Sequence, residues 1–513
     1  MRSTILMLCF IISSLVCESQ RMIFSDHFIH NNTPYKLIGR VNNNIIIWTI
    51  KNRSTSEILV YNTDLHLIRS VSSGILKPEI DASPEYFNLT DSFAVAYQYK
   101  LRNMWQYRLT FFDDNGTQLS TIIVDSLNSD KAKAKDGNYF YKVLLSQDKK
   151  TICYCKLSIN TDNSIVKTSC TFLKNNEVSH EQFFLPFDFL HESIEDFLID
   201  SNRNFVVLET TTTDSSFTTK IVKKIYANDY LLIASKKINS GILINGSIHL
   251  TDKPDRYIIY GVWQNKSNTV EKEKQYLTGF YKWTTDFNLD DKPGDTILNK
   301  VVSSAINLNV SYIKAEKGKD IFALHEYKTD TSDYDARETG YGSSSWQNEL
   351  MASVDLSSAP HFSQADLLEL ASLNHYGGSS FSPPNEIVVR RSAISTSERA
   401  VNIFSLSNSN QLYWQKNFDS SNIELLQPLD NKKIVAGKKA IHIIYLRQLT
   451  SKKTGISQVI VSYADGTYKN DNVRIWNSTY TYSLNQAMDV GDNSIIIPCF
   501  KSKKIVFAKL IFE

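Results

Sequence analysis

Short runs of alternating apolar and polar residues recur along this chain. Residues 56–71, SEILVYNTDLHLIRSV, contain an alternating run, a polar turn of Asn, Thr and Asp, and a second apolar run. A hydrophobic period of two is typical of a strand with one buried face. Two such runs around a polar turn predict an antiparallel hairpin.

The same pattern returns further along the chain. The later copies begin at Tyr107, Ser169, Thr219, Tyr276, Glu349, Ala400 and Ser457. Asn115-Gly116 and Asp465-Gly466 give the strongest turn signals, because these residue types tolerate the positive φ of tight hairpin turns. A further apolar run, such as residues 43–50, precedes most copies. The copies recur every 50 to 70 residues or so, which is near the length of a four-stranded propeller blade with generous loops.

The repeated unit predicts an all-β fold. One four-stranded sheet cannot cover both of its own faces, whereas sheets arranged radially around an axis bury them against their neighbours. We therefore expect a single β-propeller domain over residues 20–513, with seven or eight four-stranded blades. Pairing of residues 22–28 with residues 494–500 and 504–512 would close the ring. The predicted units start near residues 34, 86, 137, 193, 244, 305, 381 and 436.

Two other architectures fit the same pattern. One is a pair of smaller propellers in tandem, and the other is a series of β-sandwich domains. The lack of a Pro- or Gly-rich linker disfavours domains in series. A single helical pattern at residues 362–373, with Ser363 as an N-cap, predicts an extra helical turn rather than a domain boundary.

The N-terminus has the pattern of an export signal. Arg2 is followed by an apolar run over residues 5–16 and by Ser19, a small residue that suits a cut before Gln20. We interpret residues 1–19 as a signal peptide, which predicts a secreted, periplasmic or cell-surface protein. A lipid anchor on Cys17 is disfavoured, because Val16 stands where a small residue is needed. No later run reaches about 18 apolar residues, so we expect no transmembrane segment in the mature chain.

The charge balance disfavours one class of partner. Lys and Arg number 56 and Asp and Glu number 54, which gives a net charge of +2. Since no basic block is present, the chain lacks the electrostatic pattern of a nucleic-acid-binding protein. We expect a monomer.

Four cysteines remain beyond the predicted signal peptide: Cys153, Cys155, Cys170 and Cys499. Cys153 and Cys155 share one face of a predicted strand and Cys170 lies on the next, so a cross-strand disulfide to Cys170 is feasible in an oxidising compartment. Buried thiols acting as small apolar side chains are the favoured interpretation. A zinc site is disfavoured, because Cys-x-Cys has no nearby His to complete a ligand set.

The most unusual stretch is a predicted loop at residues 327–346, YKTDTSDYDARETGYGSSSW. Aromatic rings among Ser and Gly make adaptable recognition surfaces, which predicts ligand binding by Tyr327, Tyr334, Arg337, Tyr341 and Trp346. Hard oxygen ligands also predict a calcium site at Asp330, Asp333, Asp335 and Glu338. No other cofactor is expected. A loop tip without a ligand is the competing interpretation.

Catalytic motifs are missing from the sequence. There is no nucleophile elbow, zinc-protease helix or Gly-rich phosphate loop. The segment HESIED at residues 191–196 pairs a base with carboxylates, but we expect a solvated loop between blades there. These observations favour a binding protein that recognises a protein or glycan through loops at one end of the channel.

Two other functions stay open. One is a carbohydrate-active enzyme, a lyase or glycosidase, whose residues come from several blades around the axis. The other is a structural component of a surface assembly.

The unit rhythm, the N-terminal segment ending in Ser19-Gln20 and the closing KSKKIVFAKLIFE resemble uncharacterised exported repeat proteins of Bacteroidota-type bacteria. The resemblance covers most of the chain through its rhythm, although Asp-Gly turns are fewer here. It implies export and a propeller-like fold, and it implies no established activity.

Overall fold

The computed structural model describes most of the chain after residue 20. It covers residues 21–512 apart from 31–32, 53–54, 74, 76–83, 102–103, 129–138, 161–164, 175–176, 187–191, 213–215, 226–230, 239–240, 252–255, 267–274, 288–294, 304–305, 337–388, 420–431, 451–452 and 473–479. The helical turn predicted at 362–373 lies outside the described residues.

The described residues form 34 strands, β1 to β34, and no helix. These strands build eight antiparallel sheets, and the sheets follow one another along the chain as the blades of a propeller. The predicted all-β propeller is therefore confirmed, with eight blades. Within these same residues there is no helix of the length and apolar character that crossing a bilayer requires.

Blades one to four contain β3 to β18. Blade one has β3 (Tyr35–Val41), β4 (Asn44–Asn52), β5 (Thr55–Tyr61) and β6 (Leu67–Ser73). Blade two has β7 (Glu85–Asn88), β8 (Ser92–Leu101), β9 (Met104–Asp113) and β10 (Gln118–Asn128). Blade three has β11 (Tyr139–Leu145), β12 (Ile152–Asn160), β13 (Ile165–Lys174) and β14 (Glu177–Pro186). Blade four has β15 (Glu192–Ile199), β16 (Phe205–Thr212), β17 (Phe217–Lys224) and β18 (Leu231–Ile238).

Blades five to eight contain the remaining strands. Blade five has β19 (Ile242–Leu250), β20 (Tyr257–Lys266), β21 (Gln275–Thr285) and β22 (Asp295–Ser303). Blade six has β23 (Ile306–Glu316), β24 (Lys319–Ala336), β25 (Val389–Ser407) and β26 (Leu412–Asp419). Blade seven has β27 (Lys432–Ala436), β28 (Ala440–Thr450), β29 (Lys453–Ser462) and β30 (Tyr468–Asn472). Blade eight has β32 (Met488–Gly491), β33 (Ser494–Lys501), β34 (Lys504–Ile511) and β1 (Arg21–Phe24), with the short strands β2 (Ile29–His30) and β31 (Thr481–Tyr482) alongside.

The first strand of each blade lies nearest the axis, because the first strands of successive blades contact one another, as β3 contacts β7 and β11 contacts β15. The second strand is then covered on both faces. In blade one, Ile45, Ile46, Ile47 and Trp48 are each at most 1% exposed. A strand buried on both faces is recognised in the sequence as an unbroken apolar run.

The hydrophobic core lies between the blades. Each of the eight apolar clusters among the described residues combines side chains from two neighbouring sheets. Between blades one and two, the ring of Trp48 meets that of Phe112 edge-on at a centroid distance of 5.9 Å. Phe112 in turn stacks on Phe93 at 4.9 Å. The blades therefore shield one another's apolar faces.

The two ends of the described chain meet in blade eight. Strand β1 pairs antiparallel with β34, so that Met22 lies opposite Leu510. Strand β2 pairs with the start of β34, and Ile29 lies opposite Ile505. The predicted closure by N- and C-terminal strands is confirmed.

The blade boundaries explain one feature of the predicted units. The first strands begin at Tyr35, Glu85, Tyr139, Glu192, Ile242, Ile306, Lys432 and Met488. The predicted start near 381 lies outside the described residues, and the next strand, β25, is the third strand of blade six rather than the start of a blade. The long segment between β24 and β25 separates two halves of one blade.

The solvated loop predicted at residues 191–196 is wrong for the residues that the structure describes. Glu192–Ile199 forms β15, the inner strand of blade four, and His191 lies outside the described residues. Asp196 is only 8% exposed and accepts a hydrogen bond from the backbone N–H of Ile248 at 3.1 Å. Partners on the next blade therefore allow a charged residue in a buried strand.

Candidate functional site

A cavity of about 410 Å³ opens between blades five and six. We call it the blade five–six pocket. Its lining residues belong to the first two strands of blade five and to the first strand of blade six: His249, Tyr260, Tyr312, Ile313, Lys314 and Ala315. It lies near the turn that ends β23, where Lys317 and Gly318 have φ of 51° and 79°. Two consecutive positive φ values are typical of a tight hairpin turn, which holds β23 and β24 rigidly.

Aromatic rings form one wall of the blade five–six pocket. The His249 and Tyr312 ring centroids lie 4.1 Å apart, and their planes differ by 33°. The Tyr260 ring lies 6.3 Å from that of Tyr312, with planes 31° apart. Behind them, Phe322 meets both tyrosine rings at 5.4 Å. The wall is therefore fixed by packing before any ligand arrives.

The Tyr260 hydroxyl is a neutral hydrogen-bonding group beside this wall. Burial, and after it the nearby Asp196 carboxylate, raise the pKa of Tyr260 to about 12, although hydrogen bonds with the Tyr312 backbone and the Ser247 side chain oppose the shift. The phenol therefore stays protonated at neutral pH and can both donate and accept a hydrogen bond.

The charged groups at the rim of the pocket balance each other. Lys314 Nζ lies 3.0 Å from Glu316 Oε2, and both side chains are partly exposed. The same ammonium group lies 4.9 Å from the ring centroid of Tyr463 in blade seven, within cation–π range. The ammonium group of Lys314 is therefore paired on the side that faces blade seven, and it adds no free charge to the pocket.

The blade five–six pocket was missed by the sequence analysis. His249 and Tyr312 lie on strands of different blades, and neither belongs to a motif. The alternation of apolar and polar residues around each of them predicts a strand, β19 or β23. It gives no sign that the two rings meet. Only the radial packing of the blades brings them together.

The predicted loop at 327–346 begins as a strand instead. Strand β23 pairs with β24 only as far as Lys328, and β26 pairs with β25 only from Ala400 onwards. Beyond these points, residues 329–336 pair with residues 389–396 alone. We call this two-stranded projection the blade-six arm. It leaves the blade at the end opposite the β23–β24 turn and the pocket.

The register of the blade-six arm explains why a strand forms here. Asp335 lies opposite Arg390, and Tyr334 lies opposite Arg391. Opposite charges and aromatic residues at facing positions stabilise antiparallel pairs. Nothing in residues 327–346 alone indicates that part of this stretch pairs with residues 389–396.

The predicted ligand-binding residues divide into three groups. Tyr327 lies at the base of the arm, where its ring stacks on that of His325 at 6.2 Å. Tyr334 belongs to the arm itself. Arg337, Tyr341 and Trp346 lie outside the described residues, so their role stays a prediction.

The predicted calcium ligands are also spread along the arm. Asp330, Asp333 and Asp335 lie in β24, and Glu338 lies outside the described residues. At about 3.4 Å per residue, the Cα atoms of Asp330 and Asp335 are roughly 17 Å apart. Backbone positions this far apart do not by themselves form one compact ligand set. Calcium at the arm stays a prediction.

A second group of chemically reactive side chains lies between blades three and four. Cys155 lies directly opposite Cys170 on the neighbouring strand. The Cys155 Sγ is 3.4 Å from that of Cys170 and 3.3 Å from that of Cys153. All three are free thiols and at most 1% exposed. We call them the thiol cluster. Of the two pairings considered from sequence, the register favours Cys155 with Cys170.

The electrostatics of the thiol cluster favour one shared negative charge. Burial raises the pKa of Cys155, but hydrogen bonds from Cys153 and Cys170, and then the Lys142 ammonium, lower it to about 5. Burial raises the pKa of the other two thiols. Burial also lowers the pKa of Lys142, although Asp196, whose carboxylate lies 3.8 Å away, opposes this shift.

Comparisons with known proteins concern the fold alone. No family model and no curated protein matches the chain. Among solved structures, the WD40 domain of SCAP from fission yeast is 7% identical with a TM-score of 0.38, covering 96% of this chain and 98% of that one. The polysaccharide lyase Uly1 is 8% identical with a TM-score of 0.35, covering 85% and 89%. An acylaminoacyl peptidase from Pyrococcus horikoshii is 11% identical with a TM-score of 0.32, covering 93% and 57%.

Likenesses this distant carry no argument about activity. The order of the strands in its eight sheets shows that the chain is an eight-bladed β-propeller. Its functional assignment has to be made from its own side chains.

Proposed function

We propose that this protein is an exported binding protein that recognises a glycan, and that the blade five–six pocket holds one end of the sugar chain. The observation that carries the proposal is the aromatic wall of His249 and Tyr312 in a cavity of about 410 Å³. Small-molecule sites commonly have volumes of roughly 300–1,000 Å³, so the pocket suits one or two sugar rings.

The chemistry of the wall matches that of a sugar. A pyranose ring has an apolar face of C–H groups and an edge of hydroxyl groups. The flat surface of the Tyr312 ring suits the apolar face, since aromatic side chains offer a large contact area with a polar tip. The Tyr260 hydroxyl suits the hydroxyl edge, because a phenol can exchange hydrogen bonds with a neutral polar ligand.

The balanced charge of the rim also bears on the choice of ligand. A strongly anionic chain would call for a cation without a partner, whereas Lys314 is paired with Glu316 at 3.0 Å. A neutral glycan is therefore the better match. The predicted signal peptide at 1–19 supports the proposal too, because an exported protein meets glycans outside the cell.

The test is a binding screen with the chain from residue 20 to residue 513. Neutral oligosaccharides on an array are followed by calorimetric titration of the ones that bind. We expect Tyr312→Ala to weaken binding about tenfold or more, which corresponds to about 1.4 kcal/mol. Tyr413→Ala is the matched control, because Tyr413 lies on the outer strand of the same blade and is 52% exposed.

Two results would overturn the proposal. Equal losses in Tyr312→Ala and Tyr413→Ala would place the ligand elsewhere, and no binding by any oligosaccharide would remove the glycan. Shortening of the bound oligosaccharides would instead support the alternative of a lyase or glycosidase. Mass spectrometry of the titrated sugars distinguishes binding from turnover.

A further inference from the structure

The thiol cluster belongs to one ordered row across the sheet of blade three. Lys142 on β11 lies opposite Cys155 on β12, which lies opposite Cys170 on β13, which lies opposite Glu181 on β14. Residues at facing positions of antiparallel strands share one face of the sheet. The row therefore places an ammonium group, two thiols and a carboxyl group on the face that packs against blade four. Cys153, two residues before Cys155, adds the third thiol to the same face.

The sulfur positions suit a single metal ion. The three Sγ atoms lie within 4.8 Å of one another, and the two nearest pairs are 3.3 and 3.4 Å apart. Zinc–sulfur bonds of about 2.3 Å place thiolate sulfurs roughly 3.8–4.0 Å from each other around one ion. The two nearest separations, 3.3 and 3.4 Å, are shorter than this value, so small side-chain rotations that move the sulfurs apart would make room for an ion.

The charges around the cluster also suit a divalent ion. Three thiolates and one divalent cation have a net charge of −1, which a buried site must balance. Lys142 on the adjacent strand supplies a positive charge, which it shares with the Asp196 carboxylate 3.8 Å away. Glu181 lies half-buried opposite Cys170 at the outer end of the row, and it is not among the potential ligands that the described residues bring within 4.8 Å of one another.

A packing role alone does not explain the row. Buried thiols are satisfied as small apolar groups and need neither an ammonium nor a carboxyl group beside them. The cluster also packs against Phe172 and Phe197, so its surroundings are dry, and thiolates there need a counter-charge. A metal ion uses all three thiols at once.

We propose that Cys153, Cys155 and Cys170 form a three-thiolate binding site for a thiophilic divalent metal ion of the zinc class, with the Lys142 ammonium group as a balancing charge. The site lies between blades three and four, and it is independent of the blade five–six pocket. Because the thiols are buried, the ion enters as the protein folds.

The test uses cadmium chloride as the probe. The chain from residue 20 to residue 513 is unfolded in denaturant with reductant and chelator, and then refolded with cadmium ions. We expect one ion per chain, detected by an ultraviolet charge-transfer band from thiolate to cadmium and by native mass spectrometry. Zinc chloride should compete for the same site.

Four variants make the result specific. Cys155→Ser and Cys170→Ser should lose the charge-transfer band, whereas Cys499→Ser, which changes a buried thiol in blade eight, should keep it. Lys142→Met should weaken cadmium binding about 10–100-fold, as changes beside a metal ligand do. Circular dichroism shows whether each variant has folded, so a lost band in a folded variant is decisive.

The opposite results are equally clear. A band that persists in folded Cys155→Ser, or folded wild-type protein without bound cadmium, would overturn the proposal. A disulfide between Cys155 and Cys170 in protein isolated without reductant, found by mass spectrometry of peptides, would also overturn it. None of these outcomes depends on glycan binding, so the failure of one proposal is distinguishable from the failure of the other.

Discussion

Lys282 and Asp320 join blades five and six through a buried ion pair. The ammonium group of Lys282 lies 2.6 Å from the Asp320 carboxylate and also donates a hydrogen bond to the Ser407 carbonyl oxygen at 3.1 Å. The Lys282 side chain has no exposed surface. Burial lowers the pKa of Lys282, and Asp320 opposes that shift. The pair therefore fixes the contact between the two blades whose inner strands line the pocket.

Removing the ammonium group should destabilise the protein strongly. Lys282→Met leaves the Asp320 carboxylate buried without its counter-charge, so we expect the free energy of unfolding to fall by about 3–5 kcal/mol. Urea denaturation followed by tryptophan fluorescence measures the change. Lys282→Met with Asp320→Leu should recover most of the loss, because no charge is then left alone.

An exposed ion pair provides the control for that experiment. Lys51 lies 2.8 Å from Glu57, and its side chain is 59% exposed. Lys51→Met should cost about 1 kcal/mol or less. Equal losses in Lys282→Met and Lys51→Met would show that the buried pair has no special role.

His442 should make stability depend on pH. It is 3% exposed, its ring stacks on that of Phe512 at 4.5 Å, and its Nδ1 lies 3.1 Å from Gln458 Oε1. Burial lowers the pKa of His442, and the hydrogen bond with Gln458 partly opposes the shift. The native state therefore keeps the imidazole neutral, and the unfolded chain binds the proton more readily.

The sign of the effect follows from this difference. The contribution of His442 is complete above pH about 6.5 and is lost as the pH falls from there through the lowered native pKa. Its slope is at most about 1.4 kcal/mol per pH unit. Urea midpoints measured at several pH values for His442→Gln should show a smaller acid loss than wild type. His30→Gln, which changes an exposed histidine, should show the wild-type loss.

The blade-six arm should be dispensable for folding. Lys328 lies opposite Ser397 at its base, so an Asn-Gly turn can join them in place of residues 329–396. We expect the melting temperature to change by a few degrees only, because the arm pairs with no other described strand. Differential scanning calorimetry measures this change.

The same variant tests the predicted recognition residues. If Tyr334, Arg337, Tyr341 and Trp346 bind a partner, the shortened protein will lose that partner in a pull-down and keep any glycan bound at the blade five–six pocket. Loss of a cooperative melting transition would show that the arm is structural.

Closure of the ring should depend on the N-terminal strands. A chain that starts at residue 31 lacks β1 and β2, so Ala508 and Leu510 lose the strand that covers them. We expect it to aggregate or to elute in an expanded form during size-exclusion chromatography. A chain that starts at residue 20 is the control and should elute as a compact monomer. Identical elution of both chains would contradict the role of β1.

Much of the fold was predictable from local pattern. The run Ile45–Trp48 is apolar throughout, because a second strand is covered on both faces, and such runs mark the blades one after another. The pairing of Met22 with Leu510 was predictable too, since a ring of sheets needs the two ends of the chain to meet.

The contacts that build the candidate sites were not predictable in this way. The sequence predicted that Cys153 or Cys155 could meet Cys170, but which of the two lies opposite Cys170 depends on strand register, which the hairpin turn and the packing against blade four decide together. His249 and Tyr312 meet because two blades pack at a particular angle. The prediction of a solvated loop at Asp196 was wrong, because a charged residue can lie in a buried strand when other blades supply its partners.

The pairing of Met22 with Leu510 has a consequence for how the protein is made. Strand β1 is synthesised long before its partner β34, so the ring of sheets stays open until residues 504–511 have been made. Contacts this remote in sequence form slowly. A chain released before β34 is made therefore leaves β1 without its partner.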